Sequence, residues 1–352
     1  MLAWVCRDYG GPGVVALAHR PVPTPGPHQL LVQVETTTVE SGDARIRSRQ
    51  IPRGFGLVFR LILGWRRPRQ GVLGSVVVGT VVAVGPGVRR WAPGDRIVAT
   101  TGMAGGAHAQ FTLLSDKRAI VHCPPALTPV QAAAVVFGGL AAQFFLDRAE
   151  VQPGEQVLVI GATGSVGGAL VQLAKARGAV VTALCSAANL PRARALGAAH
   201  ALDYRAHPPS SLHPLGFDVV ADSCAASSFG ACLPLLRLGG RYLNIAGDLP
   251  SMLVRPRQGR RSISGTAAES TQDLQRVLDL AAQGVLVPMI DSVWSFTEPA
   301  AAHARAGSGH KSGCVVVQVA KAGPDPNPLP AQPQTLAGRT PRWAPAHAPT
   351  PH

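Results

Sequence analysis

The chain has 352 residues, 46% of them hydrophobic and 15% charged, with six cysteines and a net charge of +14. That length implies two domains rather than one core, and the apolar fraction is that of a folded soluble protein. The cysteines, Cys6, Cys123, Cys185, Cys224, Cys232 and Cys314, form no C-x-x-C pair, which argues against a disulfide framework or a structural zinc knot and for a reducing cytosol.

The N-terminus, MLAWVCRDYGGPG, carries a charge and glycines where a secretory signal needs an apolar core, so no signal peptide is expected. From Leu2 to about Val39 short apolar strands alternate with proline and glycine turns, and Leu30–Val34 alternates as a half-buried strand does. Glu40-Ser41-Gly42-Asp43 is a polar turn. No acidic residue then occurs between Ala44 and Gly94, while Arg45, Arg47, Arg49, Arg53, Arg60, Arg66, Arg67 and Arg69 cluster. This segment reads either as a solvated basic surface or as a patch for RNA or another anionic partner. It lacks the interleaved aromatics of a stacking platform, and no helix-turn-helix or zinc finger accompanies it. The apolar stripe within Phe55–Trp65 fits a lid over a pocket and a surface helix equally well. Gly71–Val98 is dense in β-branched runs and in Gly-Pro-Gly and Pro-Gly-Asp turns, as in a compact barrel, and Gly105–Phe111 begins a further strand pair. Thr128–Leu146 turns helical. Its apolar run, Ala132–Leu146, is shorter than the roughly 20 residues that cross a bilayer, so a buried helix and no membrane are expected.

Val157–Ala187 holds a strand, a glycine turn, a helix and a second strand in unbroken order. Val157–Ile160 is the continuous apolar run of a strand buried on both faces. Gly161, Ala162, Thr163, Gly164, Ser165, Val166 and Gly167 then form a phosphate-binding fingerprint with alanine for its first glycine. Gly164 lets the backbone approach a pyrophosphate, Gly167 lets helix and strand pack closely, and the helix N-terminus offers free N–H groups. A purely structural turn is the alternative. Ala198–Tyr204, Phe217–Asp222 and Arg241–Ala246 add short strands between helical segments, which predicts an α/β doubly wound parallel sheet. Val285–Val319 returns to strand-like patterning, and the proline-rich residues 321–352 are expected to be disordered.

The β-rich opening, the GDRI turn, AHAQF, the fingerprint, ALGAAHALDY, FDVVADSC, LRLGGRYLNIAG and GHKSGCVVV, in that order, resemble the medium-chain dehydrogenase/reductase superfamily, in its zinc-free quinone oxidoreductase-like branch. The resemblance implies a GroES-like β-barrel catalytic domain at 1–125, completed by 285–320, and a Rossmann NAD(P)-binding domain at 126–284. It implies hydride transfer between a nicotinamide cofactor and a small quinone, enone or related carbonyl, and allows a cytoplasmic homodimer. Zinc-dependent relatives place their ligands where this chain has Glu40, Ser75 and Phe137, so no metal is expected. Quinone oxidoreductases commonly carry asparagine at Glu40. That residue could donate a proton or pair with a neighbouring arginine, Ser41 could contact substrate oxygen, and Asp43 resembles a structural aspartate. Cys185–Asn189 offers no carboxylate for a ribose 2′-OH, whereas Ser186, Asn189 and Arg192, with Arg194 nearby, suit a 2′-phosphate, so NADP is expected, with NAD possible. Tyr204 matches a family tyrosine near the adenosine end, and Ser223, Ala246 and Gly247 lie where nicotinamide contacts fall. The competing expectation is a catalytically impaired nucleotide-binding protein that uses its basic face to hold RNA or another polyanion.

Overall fold

The computed structural model describes residues 1–50, 53–54, 56, 64–65, 67–69, 71–267 and 269–319. Most of the Phe55–Trp65 stripe, Arg60 and Arg66, and all of 321–352 lie outside the described residues.

Three sheets organise the described chain. Leu2–Cys6 pairs antiparallel with Val15–His19. A larger sheet runs in the order Ile290–Ser295, Cys314–Gln318, Gln29–Val39, Val76–Val84, Arg96–Thr100 and Ile120–His122, and Phe111–Ser115 pairs with Gln29–Val39 from outside that path. Gln29–Val39 is longer than the alternating Leu30–Val34, because it runs on under protein and buries Thr36, Thr37 and Thr38. Its last residues pair antiparallel with the chain's final strand, Val315 facing Val39. The expected strand pair at Gly105–Phe111 begins only at Phe111; Ala109 makes an isolated bridge to Ala3 instead.

The third sheet is wholly parallel, in the order His200–Asp203, Val180–Cys185, Gln156–Ile160, Phe217–Asp222, Leu236–Asn244 and Arg261–Ser264. Its central strand is apolar from Val157 to Ile160 because both faces are covered: Val157 and Val159 join one core, Leu158 and Ile160 another with Phe217 and Tyr242. Each such buried side chain contributes about 2 kcal/mol. The result is an α/β fold with a GroES-like N-terminal domain and a parallel-sheet Rossmann domain.

Helix α1, Ser41–Ser48, starts on a capping box, in which the Glu40 backbone N–H donates to Asp43 and the Glu40 side chain accepts from the N–H of Asp43. Helix α2, Pro129–Ala149, is capped by Thr128 and Gln131, with Pro129 preset for the first turn. At 21 residues it is longer than its apolar run and long enough by composition to cross a membrane, but most of its apolar span is buried in the protein. Helix α3, Ser165–Ala176, follows the glycine turn, and α4, Thr271–Ala282, is capped by Ser270. Helix α5, Pro299–Gly307, interrupts the segment expected to be strand-like, since Pro299-Ala-Ala-Ala is good helix-starting sequence between the two strands.

Candidate active site

Gly161 leaves its strand with φ of +77°, a conformation that favours glycine. The N–H of Gly164 then donates to the Gly161 carbonyl, 3.1 Å, and Gly164 caps α3. A Cβ at Gly167 would overlap the Gly161 carbonyl oxygen, so glycine there is required by the close approach of helix to strand. Gly164 is different: a Cβ there meets nothing tighter than ordinary contact, leaving its outer side for a ligand. Thr163 is buried and Val166 packs on the core. The Ser165 hydroxyl is buried against Gly138 of α2 and has no hydrogen-bond partner among the described residues. The turn, the helix N-terminus and the room beside Gly164 fit a nucleotide pyrophosphate.

Ser223 at the end of Phe217–Asp222 braces this turn, its hydroxyl donating to the carbonyls of Ile160, 2.9 Å, and Gly161, 3.2 Å. Asp222, which the sequence reading left without a role, holds the loop beyond: it accepts from the N–H groups of Cys224, Ala226 and Ser227 and from the Tyr242 hydroxyl. Burial, and then the charge of Asp222, raises the Tyr242 phenol above its ordinary pKa of 10. Ala246 and Gly247 follow the next strand end, and Gly247 packs closely on the Asn244 side chain, which donates to Ser251 and Ser264.

In the loop after Val180–Cys185, the Ser186 hydroxyl accepts from Asn189, 3.1 Å, and Asn189 also donates to Ser312, 3.0 Å. Arg192 donates to the Ile290 carbonyl, 3.1 Å. Both residues therefore tie this loop to the C-terminal segment. Tyr204 is 43% exposed with the Arg205 guanidinium over its ring. One acid escaped the sequence reading here. Asp203 sits opposite Cys185 in the neighbouring strand, and burial, then the charge of Asp203, raises the Cys185 thiol pKa.

Glu40 is wholly buried. Its partner is not a neighbouring arginine: Arg47 turns away to donate to the Gly10 carbonyl. Instead Lys311 Nζ stands 3.4 Å from Glu40 Oε2, and the Cys314 thiol donates to Oε1 at 3.2 Å. Strand register explains the meeting, since Val315 opposite Val39 sets Cys314 beside Glu40. Burial alone lowers the Lys311 pKa, but the Glu40 charge, helped by Asp291, outweighs it, and the ammonium ends above its ordinary 10.5. Burial, then Glu40, raises Cys314 well above 9, so it stays a neutral thiol. Asp43 is a positioning group: its carboxylate accepts from the N–H of Glu40, 2.8 Å, and of Gly74, 3.0 Å. Burial raises its pKa, partly offset by His108 and those two N–H bonds. Ser41 is the first residue of α1 and partly exposed.

The donor set does not fit catalytic zinc. Of the three matching positions, Glu40 is spent on Lys311 and Cys314, Ser75 is a weak donor and Phe137 is none. Buried His108 directs Nε2 at the Thr38 carbonyl, 2.8 Å.

Comparison with known proteins agrees with this architecture. The alcohol dehydrogenase GroES-like domain family matches residues 26–151, and the zinc-binding dehydrogenase family matches residues 196–317. A chloroplast quinone oxidoreductase of Triphysaria versicolor is 27% identical over 331 residues, covering 88% of this chain and 96% of that protein. A mycocerosic acid synthase-like polyketide synthase of Mycobacterium tuberculosis is 32% identical over 333 residues, 88% of this chain but 15% of that much longer protein. The structure of the quinone oxidoreductase from Coxiella burnetii superposes with a TM-score of 0.79 at 24% identity, covering 91% of this chain and 99% of that one, a likeness of fold.

Proposed function

The chain belongs to the medium-chain dehydrogenase/reductase superfamily and is quinone-oxidoreductase-like, and from that premise we propose that it is a zinc-independent, NADP(H)-dependent reductase of a small quinone, enone or related carbonyl. The observation that carries this reading is the buried Glu40–Lys311 ion pair, Glu40 being the residue that the resemblance sets at a zinc-ligand position, in a chain that also has a glycine turn suited to a nucleotide. Bound there, a nicotinamide nucleotide supplies hydride. Gly161, Thr163, Gly164, Ser165, Val166 and Gly167 hold its pyrophosphate on the N-terminus of α3. Ser223, Ala246 and Gly247 line the nicotinamide end. Without zinc, an acceptor that takes hydride readily is favoured over an unactivated ketone, and the quinone oxidoreductase names among the relatives support that class.

The preference for NADP rests on Ser186, Asn189 and Arg192, which can surround a 2′-phosphate, while Tyr204 flanks the adenosine. Asp203, beside the strand end, favours the competing choice of NAD. The same reading proposes a cytoplasmic protein and allows a homodimer.

The test follows absorbance at 340 nm with NADPH and NADH against quinones and α,β-unsaturated carbonyls, with a chelator in parallel. Chelator-insensitive oxidation, faster with NADPH, is expected. NADPH that binds without being consumed by any acceptor turns the reading toward a binding protein, and a steep salt dependence of RNA affinity then implicates the basic face.

A further inference from the structure

We propose that Lys311 is a catalytic residue that binds the carbonyl oxygen of an α,β-unsaturated substrate, with Glu40 as the residue that positions it; this rests on the reductase reading above. Lys311 lies on the turn between α5 and Cys314–Gln318, and that turn is pinned on both sides of its backbone. The Ser312 N–H donates to Asp291 at 2.7 Å, its hydroxyl meets Asn189, and Asp291 is itself held by Arg305. The Lys311 side chain is only 11% exposed, yet its ammonium makes one hydrogen bond among the described residues, to Glu40. Two N–H donors of a buried cation therefore have no partner among the described residues, beside the residue that the resemblance sets at a zinc-ligand position.

The chemistry of the pair follows from its charges. Glu40 alone would oppose negative charge growing on a substrate oxygen. Paired with Lys311 it is neutralised, and the ammonium presents donors where zinc would present a Lewis acid. The new C–H bond at the β-carbon would come from hydride that a bound dihydronicotinamide cofactor supplies. The electrons of the C=C bond move toward the carbonyl, and the resulting enolate oxygen accepts from Lys311. A proton from water then closes the α C–H bond, leaving the saturated carbonyl and oxidised cofactor. Quinones, whose aromatic product spreads the charge, need this donor less.

Three variants test the assignment: Lys311→Met, Lys311→Arg, and the double variant Glu40→Gln/Lys311→Met, which leaves no unpaired buried charge if the single variant folds poorly. Lys311→Met and the double variant are expected to lower kcat on an enone by about 100-fold, with NADPH affinity, read by fluorescence quenching, within about 2-fold of wild type. Lys311→Arg is expected to stay within about 10-fold. A readout free of turnover is binding of a 1,3-diketone enolate, measured by calorimetry, which should weaken in parallel in the two charge-removing variants and persist in Lys311→Arg. Enone kcat within about 3-fold of wild type in folded variants overturns the proposal, as does loss of NADPH affinity with kcat unchanged, which would make Lys311 a nucleotide anchor. In both of those cases wild-type turnover leaves the reductase reading standing. Wild-type protein that consumes no NADPH with any acceptor overturns that reading itself, and this proposal with it.

Discussion

His303 sits wholly buried on α5, its ring 5.9 Å from Trp4 and 5.5 Å from His108, and neither of its nitrogens has a hydrogen-bond partner among the described residues. Burial, and after it the charges of His108 and Arg47, push its pKa down to about 2 from an ordinary 6.5. The folded protein therefore keeps this ring neutral at pH 5, whereas the unfolded chain protonates it. Stability from this residue is complete above about pH 6.5 and declines as pH falls toward 2, because the unfolded state binds the extra proton. At pH 5 the loss amounts to about 2 kcal/mol. Denaturant melts of wild type and His303→Phe between pH 7.5 and 5 check this. The variant is expected to lose less stability on acidification, and an equal slope would mean that His303 is not the residue being titrated.

The glycine turn decides how an element meets its ligand. Gly164→Ala and Gly167→Ala add the same methyl group three residues apart on one turn, with different room: a Cβ at Gly164 stands 3.5 Å from the Gly161 carbonyl oxygen, an ordinary contact, whereas one at Gly167 overlaps that oxygen. Gly164→Ala is expected to fold with stability within about 1 kcal/mol of wild type while weakening NADPH affinity by about 10-fold or more, through encroachment on the pyrophosphate. Gly167→Ala is expected to lose about 3 kcal/mol of stability as the helix is forced off the strand. Thermal unfolding and fluorescence quenching read the two effects separately. Most of the elements that carry this turn are legible in sequence, since a buried strand, a glycine with positive φ and a capped helix are specified by neighbours within a few residues. Helix α5 was missed because its short Ala-rich stretch lies between two β-branched strands, Ile290–Ser295 and Cys314–Gln318, whose patterning dominates the window.

At the scale of the molecule, α2 lies against both large sheets. Val76, Val78 and Val98 of one and Val157 and Val159 of the other share a continuous core with its Ala133, Val136 and Leu140. Arg192 and Asn189 add a polar bridge from the parallel sheet to Ile290 and Ser312. If Arg192 also faces a 2′-phosphate, its removal acts twice. Arg192→Ala is expected to cost about 1 kcal/mol without nucleotide and to lower the NADPH to NADH ratio of kcat/KM by about 10-fold. Calorimetry and initial rates measure the two, and a ratio left unchanged would assign Arg192 to the bridge alone.

Sequence by itself determined the parallel sheet and the buried course of α2, and from it come the expectations of a nucleotide turn and of no metal at Glu40, Ser75 and Phe137. Each depends on residue type or on periodicity over a short window, and that information is local. Tertiary structure alone decided what Glu40 is paired with. Its partners lie 271 and 274 residues away, and they reach it only because the last strand docks antiparallel on Gln29–Val39 with Val315 opposite Val39. No local pattern encodes that register. It follows from burying the apolar faces of both strands in one sheet, and it turns an acid ill suited to stabilising an oxyanion into the anchor of a buried ammonium.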